Sequence, residues 1–158
     1  MTPDDLRLFQ RRPDLFCMSV LGEDATVQDV LDGRARHATA PTGAQIEIME
    51  SVRDNKYTAV PSANNQGKSH IAARVALWFI SCHIPSIVIF TAPKYAQVKD
   101  ILFSRFRQAW QNSKTDLGGE CYSTNFYPAR DRFPTWFVLG MTAKSTNCLL
   151  YTSPSPRD

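Results

Sequence analysis

The chain has 158 residues, of which 43% are hydrophobic and 21% charged, proportions typical of one soluble globular domain. They exclude an extensively disordered chain, and a formal net charge of +3 is too small to indicate a polyanionic partner by itself. The four cysteines show no CxxC spacing, which argues against a cysteine-built metal site and favours free thiols in a reducing compartment.

The N-terminus lacks a basic and then apolar leader segment, and the longest apolar run is too short to cross a bilayer. The sequence therefore predicts a protein of the cytoplasm with no membrane partner.

Three helices are predicted in the first third of the chain. Residues 3–12 begin with Thr2 as N-cap and Pro3 at the first helical position, and Pro13 ends the helix. A second short helix is expected from about Thr26. A third, 44–54, follows Pro41-Thr42-Gly43 and carries apolar residues at helical spacing.

The middle of the chain predicts alternating strands and helices. A strand over Tyr57–Val60 precedes a buried helix from Lys68 to about residue 83. The uninterrupted apolar run Ser86–Phe90 is typical of a central parallel strand covered on both faces, and a long helix is expected over residues 95–113. This order predicts an α/β fold with a parallel sheet flanked by helices.

The later part of the chain is less regular. Residues 121–132 are polar and aromatic with little periodicity, which indicates an irregular or hairpin excursion. Residues 136–141 then read as another strand.

The stretch SANNQGKSH, Ser62 to His70, lies between a predicted strand and a predicted helix, as a phosphate-binding loop requires. Such a loop and the helix after it direct backbone N–H groups and the positive helix end at phosphates. The pattern GxxxxGK[ST] is met except that Ser62 stands in place of the first glycine. The nucleotide-binding candidates are Ser62, Asn64, Asn65, Gln66, Gly67, Lys68 and Ser69.

Within this loop, Gly67 would allow close backbone approach and Lys68 would place a charge near the β and γ phosphates of ATP. The Ser69 hydroxyl would ligate Mg²⁺. The alternative is a glycine turn before a helix with a solvated Lys68. His70 is expected to be packed or exposed rather than catalytic.

Other candidate residues lie outside the loop. Gln45, early in the helix before the loop, could pair with an adenine edge, or could be an ordinary exposed glutamine. Thr91 and Lys94 follow the strand predicted to be central, at the sheet edge where ligands of α/β folds bind. Five arginines alternate with apolar residues, and most of them are expected to be solvated, with a nucleic-acid contact as the alternative: Arg74, Arg105, Arg107, Arg130 and Arg132.

The last eleven residues, 148–158, can be back-translated into a transposase-based sequencing adapter read in one frame. We therefore expect them to be non-native and exclude them from fold reasoning. The natural protein would then continue beyond residue 147. A natural Ser/Pro-rich tail is the alternative.

Four segments together resemble the N-terminal ATPase domain of the tailed-phage terminase large subunit: PTGAQIEIMESV, YTAVPSANNQGKSHIAARVALWF, IVIFTAPKYAQVKDILFSRF and WFVLGMTAKS. The resemblance implies a RecA-like P-loop NTPase fold that is incomplete at its C-terminus. It also implies an ATP-driven motor, docked on the procapsid in the host cytoplasm, that packages double-stranded viral DNA.

The implied partners are the portal protein, the terminase small subunit and further copies of the chain. By the resemblance, Gln45 reads adenine, Lys68 and Ser69 bind phosphate and magnesium, and Thr91 and Lys94 couple nucleotide state to DNA. The arginine that family loops often carry is absent, because Ala63-Asn64-Asn65-Gln66 stands there.

The family's Asp-Glu strand, which holds magnesium and activates water, has no counterpart before Asn147, and the nuclease domain would follow it. The fragment is therefore expected not to hydrolyse ATP, and no catalytic residue is assigned within it. The predicted organisation is an N-terminal helical extension (1–40), a partial ATPase domain (41–147) and the adapter-derived tail (148–158). A helicase-like ATPase of host or mobile-element origin and a non-enzymatic α/β domain with an incidental Gly-Lys-Ser are the alternatives.

Overall fold

Helices form the first half of the chain. The computed structural model describes residues 2–61 and 67–142, with helices α1 (Pro3–Arg11), α2 (Pro13–Ser19), α3 (Val27–Leu31), α4 (Gly43–Asp54) and α5 (Lys68–Cys82). Strand β1 (Ile87–Ala92) follows, then a π-helical segment (Gln97–Phe103), α6 (Ser104–Gln111), β2 (Glu120–Cys121), β3 (Asn125–Tyr127) and β4 (Phe137–Thr142).

The predicted starts of three helices are confirmed, and each has the same local cause. A threonine hydroxyl accepts from the backbone N–H three residues later, and the side chain there accepts from the threonine N–H. These reciprocal caps satisfy donors that a helix start leaves unpaired. The pairs are Thr2 with Asp5, Thr26 with Asp29, and Thr42 with Gln45.

The sheet of the described residues is mixed, which corrects the predicted parallel sheet in part. Its strand order is β1-β4-β3-β2. Strand β1 pairs in parallel with β4, whereas β3 is antiparallel to both β4 and β2. The residues between β2 and β3 are too few for a crossover, and a short connection forces antiparallel pairing. The predicted hairpin excursion is confirmed.

Strand β1 forms an edge of the described sheet, which corrects its prediction as a central strand covered on both faces. Within the described chain it pairs with β4 alone. Ile87 is 44% exposed and Ile89 39% exposed. A run of apolar residues indicates a strand but does not show how many other strands pair with it.

The strand predicted over Tyr57–Val60 is not formed. Tyr57 is 82% exposed, and Thr58 instead shares a hydrogen bond between its hydroxyl and that of Ser51, at 3.0 Å. A groove of about 780 Å³ is lined both by Val60 and by β1, and the segment makes no ladder with β1. A strand needs a partner at ladder distance, and local sequence does not supply one.

The helix predicted over residues 95–113 is present but begins as π-helix. This segment packs directly on β4, because a Cβ added at Gly140 would lie 2.5 Å from Val98 Cγ1 and 3.1 Å from Phe103 Cδ2. Gly140 therefore permits the close approach. Phe103 and Phe106 also contact Phe90 edge-to-face, which ties the start of α6 to the sheet.

Helix α5 is buried, as predicted, and it contributes many residues to the hydrophobic core. Most of its residues beyond the first turn are buried: Ile71, Ala73, Arg74, Ala76, Leu77, Trp78, Ile80 and Cys82. Helices α1 and α2 pack against it, so Phe9 and Phe16 share its hydrophobic cluster. No helix in the described ranges is long and apolar enough to cross a bilayer. The predicted tail, 148–158, lies outside them.

Candidate functional site

A cleft of about 850 Å³ opens at the N-terminus of α5. It brings together four of the predicted binding residues, from α4 and from the start of α5, with residues that follow β1. The described lining residues are Gln45, Gly67, Lys68, Ser69, His70, Ile101 and Arg105. The predicted candidates Ser62, Asn64, Asn65 and Gln66 lie outside the described residues.

The start of α5 has the geometry of an anion site. Gly67 is its N-cap and adopts φ +76° and ψ 14°, a left-handed conformation that glycine takes without strain. Lys68, Ser69 and His70 form the first turn, where backbone N–H groups have no partner within the helix. These donors and the positive end of a 15-residue helix favour a bound anion.

Gln45 lies beside Gly67, although the two are far apart in sequence. Its Oε1 accepts from the Thr42 backbone N–H at 3.0 Å, which completes the cap of α4. A Cβ added at Gly67 would lie 3.6 Å from Gln45 Nε2. The half-buried carboxamide is therefore held by its oxygen and presents its NH₂ group at the start of α5.

A second cavity, of about 830 Å³, adjoins the cleft and shares Gln45, His70 and Arg105 with it. Its wall contains a buried ion pair in which Arg74 Nε and Nη2 donate to Glu23 Oε1 at 2.8 and 2.5 Å. Arg74 is 6% exposed, so the expectation of a solvated side chain is wrong for this arginine. The sequence around Arg74 could not show that Glu23, 51 residues earlier in the chain, supplies its carboxylate partner.

His70 is half-buried at the junction of the two cavities, consistent with the expectation that it is packed or exposed. Burial lowers the pKa of its imidazole, and the positive charges of Arg74 and Arg105 lower it further, against an opposing effect of Glu23. The neutral imidazole is therefore favoured in the folded chain.

This shift predicts a dependence of stability on pH. Because the unfolded chain takes up the His70 proton near pH 6.5, before the folded chain does, stability should fall as pH drops below that value. His70→Gln should reduce the loss seen between pH 7 and pH 5.5 in urea unfolding. Measurements at pH 8, where the imidazole is neutral in both states, isolate any packing effect. An unchanged loss would contradict the shift.

Thr91 and Lys94 are not brought to the cleft. Thr91 is exposed near the end of β1, paired in register with Met141, and Lys94 is exposed just beyond the strand. Neither is among the described residues that line either cavity.

Arg105 was not predicted to belong to the site, because its spacing on the helix after β1 resembles that of a solvated residue.

No group of three or more His, Cys, Asp or Glu residues in the described ranges is arranged to hold a metal ion. The Ser69 hydroxyl fits Mg²⁺ only as one ligand alongside phosphate oxygens and water, the arrangement Mg²⁺ commonly adopts.

The chain is 36% identical over 83 residues to a protein of Enterobacteria phage P7 described as "Probable terminase, large subunit". The aligned stretch is 52% of this chain and 16% of that protein. The chain thus matches a small part of its relative's length. No protein-family model matches the chain, and no solved structure does.

Proposed function

We propose that the chain is the nucleotide-binding part of a terminase large subunit, an ATP-driven motor that packages viral DNA. The observation that carries the proposal is the start of α5, where left-handed Gly67 leads into Lys68 and Ser69. The partial similarity to the phage P7 protein supports it independently.

Phosphate is the anion that this arrangement suits best. A polyphosphate chain needs several donors that converge without a carboxylate nearby, and the described lining of the cleft contains Lys68 and Arg105 but no Asp or Glu. The first-turn N–H groups of α5 supply further donors. In this proposal Lys68 binds the β and γ phosphates, and Ser69 holds Mg²⁺ together with phosphate oxygens.

Gln45 is proposed to contact the adenine. Its NH₂ group can donate to a ring nitrogen, while its oxygen, which already accepts from Thr42, retains one lone pair for the adenine amino group. The cap of α4 would thus fix the orientation of the base-reading amide before nucleotide binds.

The remaining roles rest on the family resemblance. Thr91 and Lys94, at the end of β1, would couple nucleotide state to DNA. Double-stranded DNA, the portal protein, the small subunit and further copies of the chain would be the partners of the full protein. When bound, Mg·ATP would supply the phosphoryl chemistry there, with a nuclease domain downstream.

The test is nucleotide binding by the 158-residue chain. Lys68→Ala should weaken binding of a fluorescent ATP analogue in Mg²⁺ at least about tenfold, because a charge-assisted contact to phosphate is lost. Lys99→Ala removes the same charge from an exposed position outside the cleft lining and is the matched control.

Binding that ignores Lys68→Ala would favour an incidental Gly-Lys-Ser in a non-enzymatic domain. In the full-length protein, Lys68→Ala should abolish ATP hydrolysis, and retained turnover would refute the assignment of Lys68.

A further inference from the structure

We propose that Arg105 is a second phosphate-binding cation, contributed to the cleft by α6 rather than by α5. The inference rests on the proposed function and adds to it a residue outside the loop. Arg105 belongs to α6, and it lines the cleft together with Lys68 and Ser69 of α5.

The hydrogen bonds of Arg105 leave most of its guanidinium available. Among the described residues its one side-chain hydrogen bond is from Nη1 to Gln108 Oε1, at 3.3 Å, and it forms no ion pair. A guanidinium offers five donors in a planar fork that matches two phosphate oxygens.

The other arginines of α5 and α6 are engaged in structural contacts. Arg107, also on α6, donates through Nη2 to the carbonyl oxygens of Tyr122 and Ser123, at 2.7 and 3.3 Å. Arg74 is buried and paired with Glu23. Arg105 is therefore distinguished by exposure towards the cleft without a carboxylate partner in the described chain.

The charges around the cleft indicate an anionic ligand. The described residues that line the cleft and the adjoining cavity include three cations, Lys68, Arg74 and Arg105, and a single carboxylate, Glu23. Glu23 already neutralises Arg74. Burial is the main cause of the lowered pKa of His70, and the positive charges of Arg74 and Arg105 add to it.

A phosphate contact from Arg105 would connect the nucleotide to α6, which is packed on the sheet. Its neighbour Phe106 is fully buried against Phe90 of β1 and Phe126 of β3, so α6 is fixed to the sheet. A phosphate held by both Lys68 and Arg105 would join the start of α5 to α6. The same ligand would thereby link the loop to the helix that follows Thr91 and Lys94.

The experiment measures binding of the fluorescent ATP analogue with Mg²⁺ to the 158-residue chain across a salt series. Arg105→Ala should raise Kd about tenfold at low salt and reduce the salt dependence of binding, because one phosphate contact is lost. Arg105→Lys should recover part of the affinity, since it restores the charge without the fork. Lys99→Ala should leave Kd and its salt dependence unchanged, and the melting temperature of each variant checks that it is folded.

The outcomes separate this inference from the proposed function. If native binding depends on Lys68 but Arg105→Ala binds as the native chain does, Arg105 has no phosphate contact and the inference is overturned. If Arg105→Ala and Lys99→Ala weaken binding equally, general charge explains the loss and the inference is again overturned. If the native chain shows no Lys68-dependent binding, the proposed function itself fails.

Discussion

Glu23→Ala should destabilise the folded chain by roughly 3–5 kcal/mol, because it leaves the Arg74 guanidinium buried without its counter-ion. The two side chains are 8% and 13% exposed, and Glu23 Oε1 accepts both hydrogen bonds that Arg74 makes to it. Arg74 Nη1 is already buried without a hydrogen-bond partner in the described chain. Removal of Glu23 would therefore leave the whole charged group without compensation.

Urea unfolding followed by far-UV circular dichroism measures the effect. Asp4→Ala is the comparison, since Asp4 pairs with Arg7 at 3.9 Å with both side chains over 80% exposed, and such surface pairs contribute little. A joint Glu23→Leu, Arg74→Met replacement should recover much of the loss, because it removes both charges. A Glu23→Ala effect no larger than that of Asp4→Ala would show that the pair is not buried.

This pair also bears on the site. Glu23 comes from the segment between α2 and α3, whereas Arg74 lies on α5 less than two turns after Lys68. The segment before the loop therefore forms one wall of the cavity that adjoins the candidate nucleotide site. Its role could not be assigned from sequence, since the carboxylate and its partner are 51 residues apart.

Local signals in the sequence predicted most of the helices. The threonine caps at positions 2 and 26 and Pro3 act within one turn, so their effect does not depend on the rest of the fold. Helix α2 was not predicted, because Pro13 was interpreted only as the end of α1, although proline is also favoured at the first position of a helix. The apolar run of α5 likewise indicated burial on most sides. Features of the helices that depend only on residues close in sequence could therefore be predicted.

Strand pairing could not be predicted in the same way. The segment Tyr57–Val60 and strand β1 have similar composition, yet only β1 finds a ladder partner, in β4. That partner lies about fifty residues further along the chain, and whether two strands meet is decided by packing of the helices between them. The parallel arrangement of β1 and β4 is the part of the predicted sheet that is confirmed.

For the candidate site, the start of α5 could be predicted from the sequence, and the structure adds its neighbours from other helices. Gly67, Lys68 and Ser69 were predicted from the loop motif and Gln45 from the family resemblance, and the four residues lie together. His70 follows Ser69 directly in the chain, whereas Arg105 joins the site through tertiary contact, and no spacing rule connects α6 to a loop more than thirty residues before it. The role of the four loop candidates Ser62, Asn64, Asn65 and Gln66 stays a prediction.

Trp78→Ala should destabilise the chain by roughly 3–5 kcal/mol, as truncation of a buried tryptophan does elsewhere. Trp78 is 1% exposed, and its Nε1 donates to the Phe9 carbonyl oxygen at 2.7 Å. The substitution removes the largest fully buried side chain described and leaves an α1 carbonyl without its donor. Because Trp78 lies on α5, the loss measures how firmly α1 is joined to the helix that begins at Lys68.

Urea unfolding again gives the value, and Trp110→Ala is the matched control. Trp110 is only half-buried and donates from Nε1 to the Gly118 carbonyl oxygen at 2.9 Å, so its truncation should cost clearly less. If Trp78→Ala does not fold, Trp78→Phe supplies the measurement, with an expected loss of about 1–3 kcal/mol from the unpaired carbonyl. Equal losses for Trp78→Ala and Trp110→Ala would contradict a core in which α1 packs on α5, because the deeper tryptophan would then contribute no more than the peripheral one.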